Sequence, residues 1–275
     1  MESLFLIVVT FCVSVLGTIV GVGGGFLLVP VLMYAYPAKS PSEITFISLV
    51  AVLCNAVSGA HRYSRMKRID VQTGLAFGAA TAIPAVLGVF VVARMETREF
   101  APIFGGLLVV VAVLLLRRRW AARSLAVPAP VETHEGWTRR EFTDADGIAH
   151  RYAFPMRLGV ALSSVVGFVS SFFGIGGGII HVPIMTQVLR FPVHVATATS
   201  VFVLAISAGV GVATHLVRGG QGISLPMALA VGVGAVAGGQ VGARLSRRVK
   251  GDTILLILAG ALVLAGLRLI ARAFG

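Results

Sequence analysis

The segment Gly21-Val22-Gly23-Gly24-Gly25-Phe26-Leu27-Leu28-Val29-Pro30 returns in the second half of the chain as Gly174-Ile175-Gly176-Gly177-Gly178-Ile179-Ile180-His181-Val182-Pro183, and each copy follows a long apolar run. Consecutive glycines weaken a helix, because glycine loses more backbone freedom on folding than alanine does. In lipid, broken helix is tolerated only where the freed N–H and C=O groups are buried in protein or line a cavity. Two matched breaks in apolar surroundings therefore point to a duplicated membrane fold whose broken segments meet inside the protein, the place where such folds build a binding site.

Composition agrees with a membrane chain. Of 275 residues, 57% are hydrophobic and only 12% are charged, and the mean hydropathy is +0.93. A soluble domain needs more polar surface than that. The apolar runs 4–20, 44–60, 71–93, 101–116, 156–173, 193–217, 225–243 and 253–270 approach the roughly 20 residues a helical crossing requires. Two shorter runs, 26–36 and 179–189, follow the glycines in corresponding positions. Met1-Glu2-Ser3 carries no positive charge and the first run passes straight into the glycine motif, so this run is expected to stay as a span and not to be cleaved as a signal peptide. Cys12 and Cys54 lie in apolar runs without paired spacing and are expected to be buried small hydrophobes. No metal or other cofactor is expected.

The duplication reaches beyond the glycines. Thr45-Phe46-Ile47-Ser48 matches Thr197-Ala198-Thr199-Ser200, and Pro84-Ala85-Val86-Leu87-Gly88 falls opposite Gly238-Gly239-Gln240-Val241-Gly242, with the offset between 152 and 154 residues throughout. The expected organisation is a first transmembrane repeat over 1–116, a cytoplasmic linker over 117–153 and a second transmembrane repeat over 154–275. Within the linker, Asp146-Gly147 is a turn-forming pair that could close a small hairpin. The simpler expectation is a mobile cytoplasmic loop.

A net charge of +12 would suggest nucleic acid in a soluble protein, but here the basic residues gather in loops beside spans, where Lys and Arg mark the cytoplasmic side. No nucleic-acid partner is expected. Arg62, Arg65, Lys67 and Arg68 crowd one loop, whereas its counterpart in the second half has Arg218 alone. Arg244, Arg247, Arg248 and Lys250 crowd another, whose counterpart balances Arg94 and Arg98 with Glu96 and Glu99. Parallel repeats would give equivalent loops similar charge. The expected fold is thus an all-α polytopic membrane protein of two inverted repeats, about five hydrophobic segments each, with broken helices at the glycine motifs. The N-terminus is expected outside and the linker inside, in the inner (plasma) membrane. Arg268 and Arg272 near an external C-terminus run against this orientation.

A run such as Gly23-Gly24-Gly25 can aim several backbone amides at one point, a geometry suited to an anion. The competing reading is close helix packing through small residues. No Arg or Lys sits mid-span, so an anionic ligand would be held by backbone amides and neutral side chains. The candidate substrate-binding residues are Gly21, Gly23, Gly24, Gly25, Ser48, Asn55, Gly174, Gly176, Gly177, Gly178, Thr197, Ser200 and Gln240, with Thr18, Ser170, Ser171 and Thr199 close by. Each hydroxyl competes with the habit of bonding back to its own helix. His181 and His215 are candidates for proton coupling, against the reading that each is a neutral core group.

The paired Gly-x-Gly-Gly-Gly-(x)3-Val-Pro motifs, the Thr/Ser-rich helices after them and the polar central linker resemble the sulfite exporter TauE/SafE family of bacterial membrane permeases. The likeness covers nearly the whole chain outside the linker, and its motif residues are Gly21, Gly23, Gly24, Gly25 and Pro30, then Gly174, Gly176, Gly177, Gly178 and Pro183. Leu28 in the first copy stands where the second has His181, so the halves are not chemically equivalent. The resemblance implies a secondary transporter of small anions such as sulfite, sulfoacetate or related organosulfonates, working by alternating access, with export the expected direction. The expected partners are the anionic substrate, the lipid bilayer and a coupling ion, proton or sodium. An anion channel could use the same glycine nests. A membrane-embedded enzyme would need a nucleophile with a base, clustered carboxylates or a metal constellation, and the spans carry none.

Overall fold

The computed structural model describes residues 2–20, 24–122, 136–219, 225–245 and 251–274. In chain order these form α1 (Glu2–Val20), α2 (Gly25–Ala35), α3 (Pro41–Arg65), α4 (Val71–Val92), α5 (Thr97–Ala122), β1 (Thr138–Thr143), β2 (Ala149–Phe154), α6 (Met156–Phe173), α7 (Gly178–Pro183), a π-helical turn (Ile184–Val188), α8 (Val193–Val217), α9 (Leu225–Leu245) and α10 (Gly251–Phe274). Helix is the form in which an apolar segment satisfies its own backbone without water. Among the described residues, α3, α4, α6 and α8 are long and apolar enough to cross a membrane, and shorter apolar stretches lie in α1, α2, α9 and α10. The protein is a mainly helical, multi-pass membrane protein. Cys12 departs from expectation: it is exposed on α1, while Cys54 is half-buried.

Helix packing follows the small residues. Along α9, Gly234, Gly238 and Gly242 lie against the α1 backbone; a Cβ at Gly234 would sit 2.5 Å from the Ile7 carbonyl oxygen, and one at Gly242 would sit 2.6 Å from that of Val15. Helices without side chains at the contact approach closely enough for dispersion to hold them, the main attraction available in lipid. α4 and α6 meet in the same way, with Gly167 against Thr81 and Gly88 against Phe168. In both pairs the contacts advance together along the two sequences, so the helices run parallel. α3 and α8 run antiparallel: Gly59 meets Val201, Leu53 meets Gly209, Leu49 meets Gly211, and Phe46 touches His215 with ring centroids 5.6 Å apart. α5 and α10 are antiparallel through Gly105 and Gly266. The pairing is reciprocal, because α3 also packs on α9 while α8 packs on α4.

α6 ends at Phe173, and the backbone then turns through Gly174 and Gly176, at φ +68° and +62°, before α7 begins at Gly178. Both angles lie in the left-handed region, which glycine enters without a Cβ penalty. The carbonyl freed at Gly174 accepts a 2.6 Å hydrogen bond from the Ser48 hydroxyl, which also lies 3.4 Å from the Gly25 carbonyl. Gly25 itself packs on Ile175: a Cβ there would sit 2.8 Å from the Ile175 oxygen. The described part of the first motif therefore meets the second directly, with α3 bridging them. Gly21 and Gly23 lie outside the described residues.

The expectation of a mobile loop fails for the C-terminal part of the linker. β1 and β2 pair antiparallel, from Thr138 opposite Phe154 to Thr143 opposite Ala149. Asp144 organises the turn: one carboxylate oxygen accepts the Asp146 and Ile148 N–H groups at 3.0 Å, and the other lies 3.2 Å from both Arg68 Nε and His150 Nε2. The hairpin is held down at Asp70, the N-cap of α4. Its carboxylate accepts from Thr73 N–H at 3.1 Å and the Tyr152 hydroxyl at 2.8 Å, and Arg140 Nε lies 3.4 Å away. Its own N–H donates to Thr199 Oγ1 at 3.0 Å, tying α4 to α8. Tyr152 and Phe154 complete the seat by packing on Phe191, and Phe154 also on Phe77. Burial, then the adjacent Asp70 charge, pushes the Tyr152 hydroxyl well above its ordinary value, so it stays a donor.

Two outcomes follow from this architecture. Gly174→Ala places a non-glycine residue at positive φ, which costs roughly 1–3 kcal/mol, and puts a Cβ 2.8 Å from Thr45 Cα. A lowered melting temperature in detergent is expected, and an unchanged one would contradict the strain assigned here. At Asp144, burial favours the neutral acid, but the hydrogen bonds from Ile148, His150, Arg68 and Asp146 outweigh it and hold the carboxyl at about 2, below its ordinary 3.8. A depressed carboxyl stabilises the docked hairpin above its ordinary value and loses that contribution as pH falls toward the folded value. Hydrogen-exchange protection of β1 and β2 should therefore be constant from neutral pH to about 4 and decline only below that. Asp144→Asn should lose that protection already at neutral pH.

Candidate functional site

A cavity of about 340 Å³ opens between α1, α3, α8 and α9, beside the start of α7. Its polar lining comes from Thr18, Asn55, Thr197, Ser200 and Gln240, and its apolar walls include Val52, Val182, Val201 and Leu204. Where α3 runs out into the loop before α4, Arg62, Tyr63 and Arg68 line it, and His194 faces them from the start of α8. None of the described lining residues is a carboxylate.

Each lining group is placed by its helix. Asn55, Gly59 and Arg62 recur at helical spacing, so one face of α3 presents an amide, a gap and a guanidinium in turn. The gap brings α8 close at Val201. On α9, Gly239 leaves room for the Asn55 side-chain oxygen. Ser200 is 1% exposed and its hydroxyl has no hydrogen-bond partner; Thr18 Oγ1 is also buried without one. Buried polar groups are nearly always paired, so an unpaired hydroxyl on a cavity wall is available to a ligand. Thr197 differs, since its hydroxyl bonds back to the Val193 carbonyl at 2.8 Å. Arg68 is held by Asp144 and Asp146 of the hairpin, while Arg62 has no ion pair among the described residues.

The structure thus brings together Asn55, Gly178, Thr197, Ser200 and Gln240 of the sequence candidates, with Thr18. It places the others elsewhere. Ser48 and Gly25 are at the junction of the two motifs, and Gly24 is the N-cap of α2, packed on Ser14. Gly174 and Gly176 form the turn after α6. The Gly177 N–H donates to Ser170 Oγ at 2.9 Å and the Gly178 N–H to the Gly176 carbonyl at 2.6 Å, so these two amides are already occupied. Thr199 is bound to Asp70. His181 lies behind the turn, 2% exposed, with Nε2 3.1 Å from Ser163 Oγ and its ring edge-on to Phe77. It borders a small void of about 10 Å³ shared with Ser170, Gly177 and Ser207. His215 sits near the far end of α8 against Phe46, away from the cavity.

Sequence reasoning missed Arg62, Tyr63, Arg68 and His194 as cavity residues. The arginines were read only as orientation charge, although Arg62 lies seven residues after Asn55, two turns along the same face. The arrangement offers guanidinium groups at one end, neutral donors within and apolar walls between. It suits a small anion, inorganic or organic, and offers no carboxylate to a cation.

The sequence profile of the sulfite exporter TauE/SafE family matches residues 6–269. The chain is 29% identical over 276 residues to the "Probable membrane transporter protein YunE" of Bacillus subtilis, with 98% of each chain covered. It is 24% identical over 274 residues to a "Probable membrane transporter protein" of Methanocaldococcus jannaschii, covering 95% of this chain and 93% of that one. A third relative of that description, from Xylella fastidiosa, is 25% identical over 238 residues, covering 86% of this chain and 82% of its own. No solved structure matches the chain. A multi-pass helical membrane body and a profile match over residues 6–269 agree: the chain belongs to the sulfite exporter TauE/SafE family of membrane transporters.

Proposed function

We propose that the protein is a secondary transporter of small anions, of the class of sulfite, sulfoacetate and related organosulfonates, and that the cavity between α1, α3, α8 and α9 is its substrate site. The observation that carries this reading is the cavity itself, which runs from Arg62 and Arg68 to the unpartnered hydroxyl of Ser200 without a carboxylate among the described lining residues. An anionic headgroup takes hydrogen bonds from such donors, and the apolar walls accept a short carbon chain. Export is the direction carried by the family's name.

The same reading includes two inverted repeats, 1–116 and 154–275, joined by the linker 117–153, with broken helices at the glycine motifs. Supporting it, the repeat-equivalent helices α3 and α8 run antiparallel, and the pairing of α1 with α9 has its counterpart in that of α6 with α4. An antiparallel relation between equivalents is what a rotation axis in the membrane plane produces. The basic loop after α3 and the hairpin lie together, since the Ala145 N–H donates to the Met66 carbonyl and Arg68 pairs with Asp144. With basic loops inside, the cavity opens to the cytoplasm and the membrane is the inner one. Transport proceeds by alternating access, driven by a proton or sodium gradient.

Purified protein in liposomes, challenged with sulfite, sulfoacetate, taurine, sulfate and lactate, tests this. Saturable uptake of at least one anion is expected, and imposed pH or sodium gradients then identify the coupling ion. Absence of saturable uptake for every anion, or unitary currents in their place, overturns it. Ser200→Ala should weaken binding of the transported anion about 10- to 100-fold, the loss of one hydrogen bond to a charged group at roughly 1.5–3 kcal/mol. Arg62→Gln should also weaken it, most at low ionic strength, because the charge lies near solvent and is screened by salt. Arg151→Gln, on the outer face of the hairpin beside Glu141, serves as the control expected to bind normally.

A further inference from the structure

Superimposing the repeats along the sequence pairs Ser48 with Ser200, Asn55 with Ser207, Gly59 with Gly211 and Tyr63 with His215, at one constant offset. The offset of the glycine motifs pairs Thr18 with Ser171. Thr18, Asn55, Gly59 and Tyr63 line the open cavity. Their counterparts are shut away: Ser171 is 0%, Ser207 3% and His215 3% exposed. Ser200, Ser207, Gly211 and His215 nonetheless form one continuous face of α8, since steps of seven, four and four residues return to the same side of a helix. From Ser200 to His215 that face rises about 22 Å, most of the way from the cavity to the opposite membrane surface.

The polar atoms on this face, and that of Ser171 beside it on α6, are unpaired. Ser171 Oγ, Ser200 Oγ, Ser207 Oγ and His215 Nε2 have no hydrogen-bond partner, and with Thr10 and Thr18 they are the buried side-chain atoms in that condition among the described residues. Self-satisfaction would be easy for the serines. Thr186, Thr197 and Thr214 each donate to the carbonyl four residues back, whereas Ser171, Ser200 and Ser207 do not. Leaving polar groups unpaired in a bilayer interior costs free energy that packing alone has no reason to spend. At Gly211 the face is closed from two sides, with Ser171 Oγ 3.0 Å and Leu49 Cδ1 3.1 Å from where a Cβ would stand, and beyond it Phe46 covers His215.

We propose that Ser171, Ser207, Gly211 and His215 are the closed half of the substrate route, the inverted counterpart of the half lined by Thr18, Asn55, Gly59 and Tyr63. This rests on the transport reading above. When the two repeats exchange conformations, α8 takes the position that α3 holds here. The hydroxyls and the imidazole then line a cavity open to the other face and meet the same anionic substrate, while Leu49 and Phe46 act as the barrier that parts.

The test uses the full chain with Cys12→Ser and Cys54→Ser as background, carrying one added cysteine: Ser58→Cys in the open cavity, Ser207→Cys on α8 or Ser171→Cys on α6. A membrane-impermeant maleimide is applied to vesicles of each orientation. Ser58→Cys is expected to react from one face, and Ser207→Cys and Ser171→Cys from the opposite face, with uptake blocked once they are modified. Placing the probes on two helices guards against a folding defect at either. Reaction of both from the same face as Ser58→Cys overturns the proposal. So does protection of both from each face in a background that still transports, an outcome that leaves the transport reading intact. Labelling from the opposite face in a protein that moves none of the tested anions keeps the route and removes the substrate assignment.

Discussion

The hydrogen bond from Ser48 to the Gly174 carbonyl carries more of this architecture than its size suggests. Within a bilayer no water can satisfy a carbonyl released by a helix break. α6 ends at Phe173 without a following turn of helix, and Ser48, reaching across from α3, supplies the missing donor at 2.6 Å. With that carbonyl satisfied, Gly174 and Gly176 can hold their left-handed turn, and α7 can begin beside the cavity instead of continuing α6. The same hydroxyl lies near the Gly25 carbonyl, so one side chain stitches the start of α2 to the end of α6. The Ser170 hydroxyl, taking the Gly177 N–H, completes the turn from within its own repeat.

The hairpin solves a different problem, that of seating a charged, water-loving element on an apolar body. Buried charge is tolerated when it is paired and hydrogen-bonded, and Asp70 meets that condition with donors from Thr73, Tyr152 and Arg140. Asp70 also caps α4 and reaches α8 through Thr199, so the hairpin is fastened where the halves of the molecule already meet. One result is chemical. Arg68 lines the cavity, yet its guanidinium is bound by Asp144 and Asp146. The hairpin thereby fixes the position of one cavity cation and lowers its net charge, leaving Arg62 as the lining arginine without an ion pair among the described residues.

Much of the helical scaffold was legible from the sequence because lipid leaves few alternatives: an apolar run of sufficient length has to satisfy its own backbone, and so becomes helix. The convergence of Asn55, Thr197, Ser200, Gln240 and Gly178 was legible for a related reason, since nearness to the glycine motifs singled out the neutral polar groups, although repeat position also raised Ser48, which lies elsewhere. The anion nest was less so. Glycine runs announce that amides are freed, but not who takes them, and Gly177 and Gly178 spend theirs within the protein. The hairpin stood only as the alternative to a mobile loop because its stability is tertiary: Asp146-Gly147 marks a turn, whereas Asp70, Phe77 and Phe191, which hold the strands, lie far off in sequence. Arg62 was hidden by its second role, since a positive charge that reports orientation looks the same in sequence as one that lines a cavity.

Ser48 and Ser200 occupy the same position in the two repeats and have opposite fates, one bonded to the break and the other unpaired on the cavity wall. Sequence position alone does not separate them, because the difference lies in what each hydroxyl meets across the helix contacts. An exactly symmetric molecule would bind both serines alike and would have no open side. Under the alternating access proposed above, the same bond chemistry serves the opposite arrangement with the roles exchanged. On that reading, a substrate that binds the two arrangements differently shifts the balance by no more than the difference in affinity.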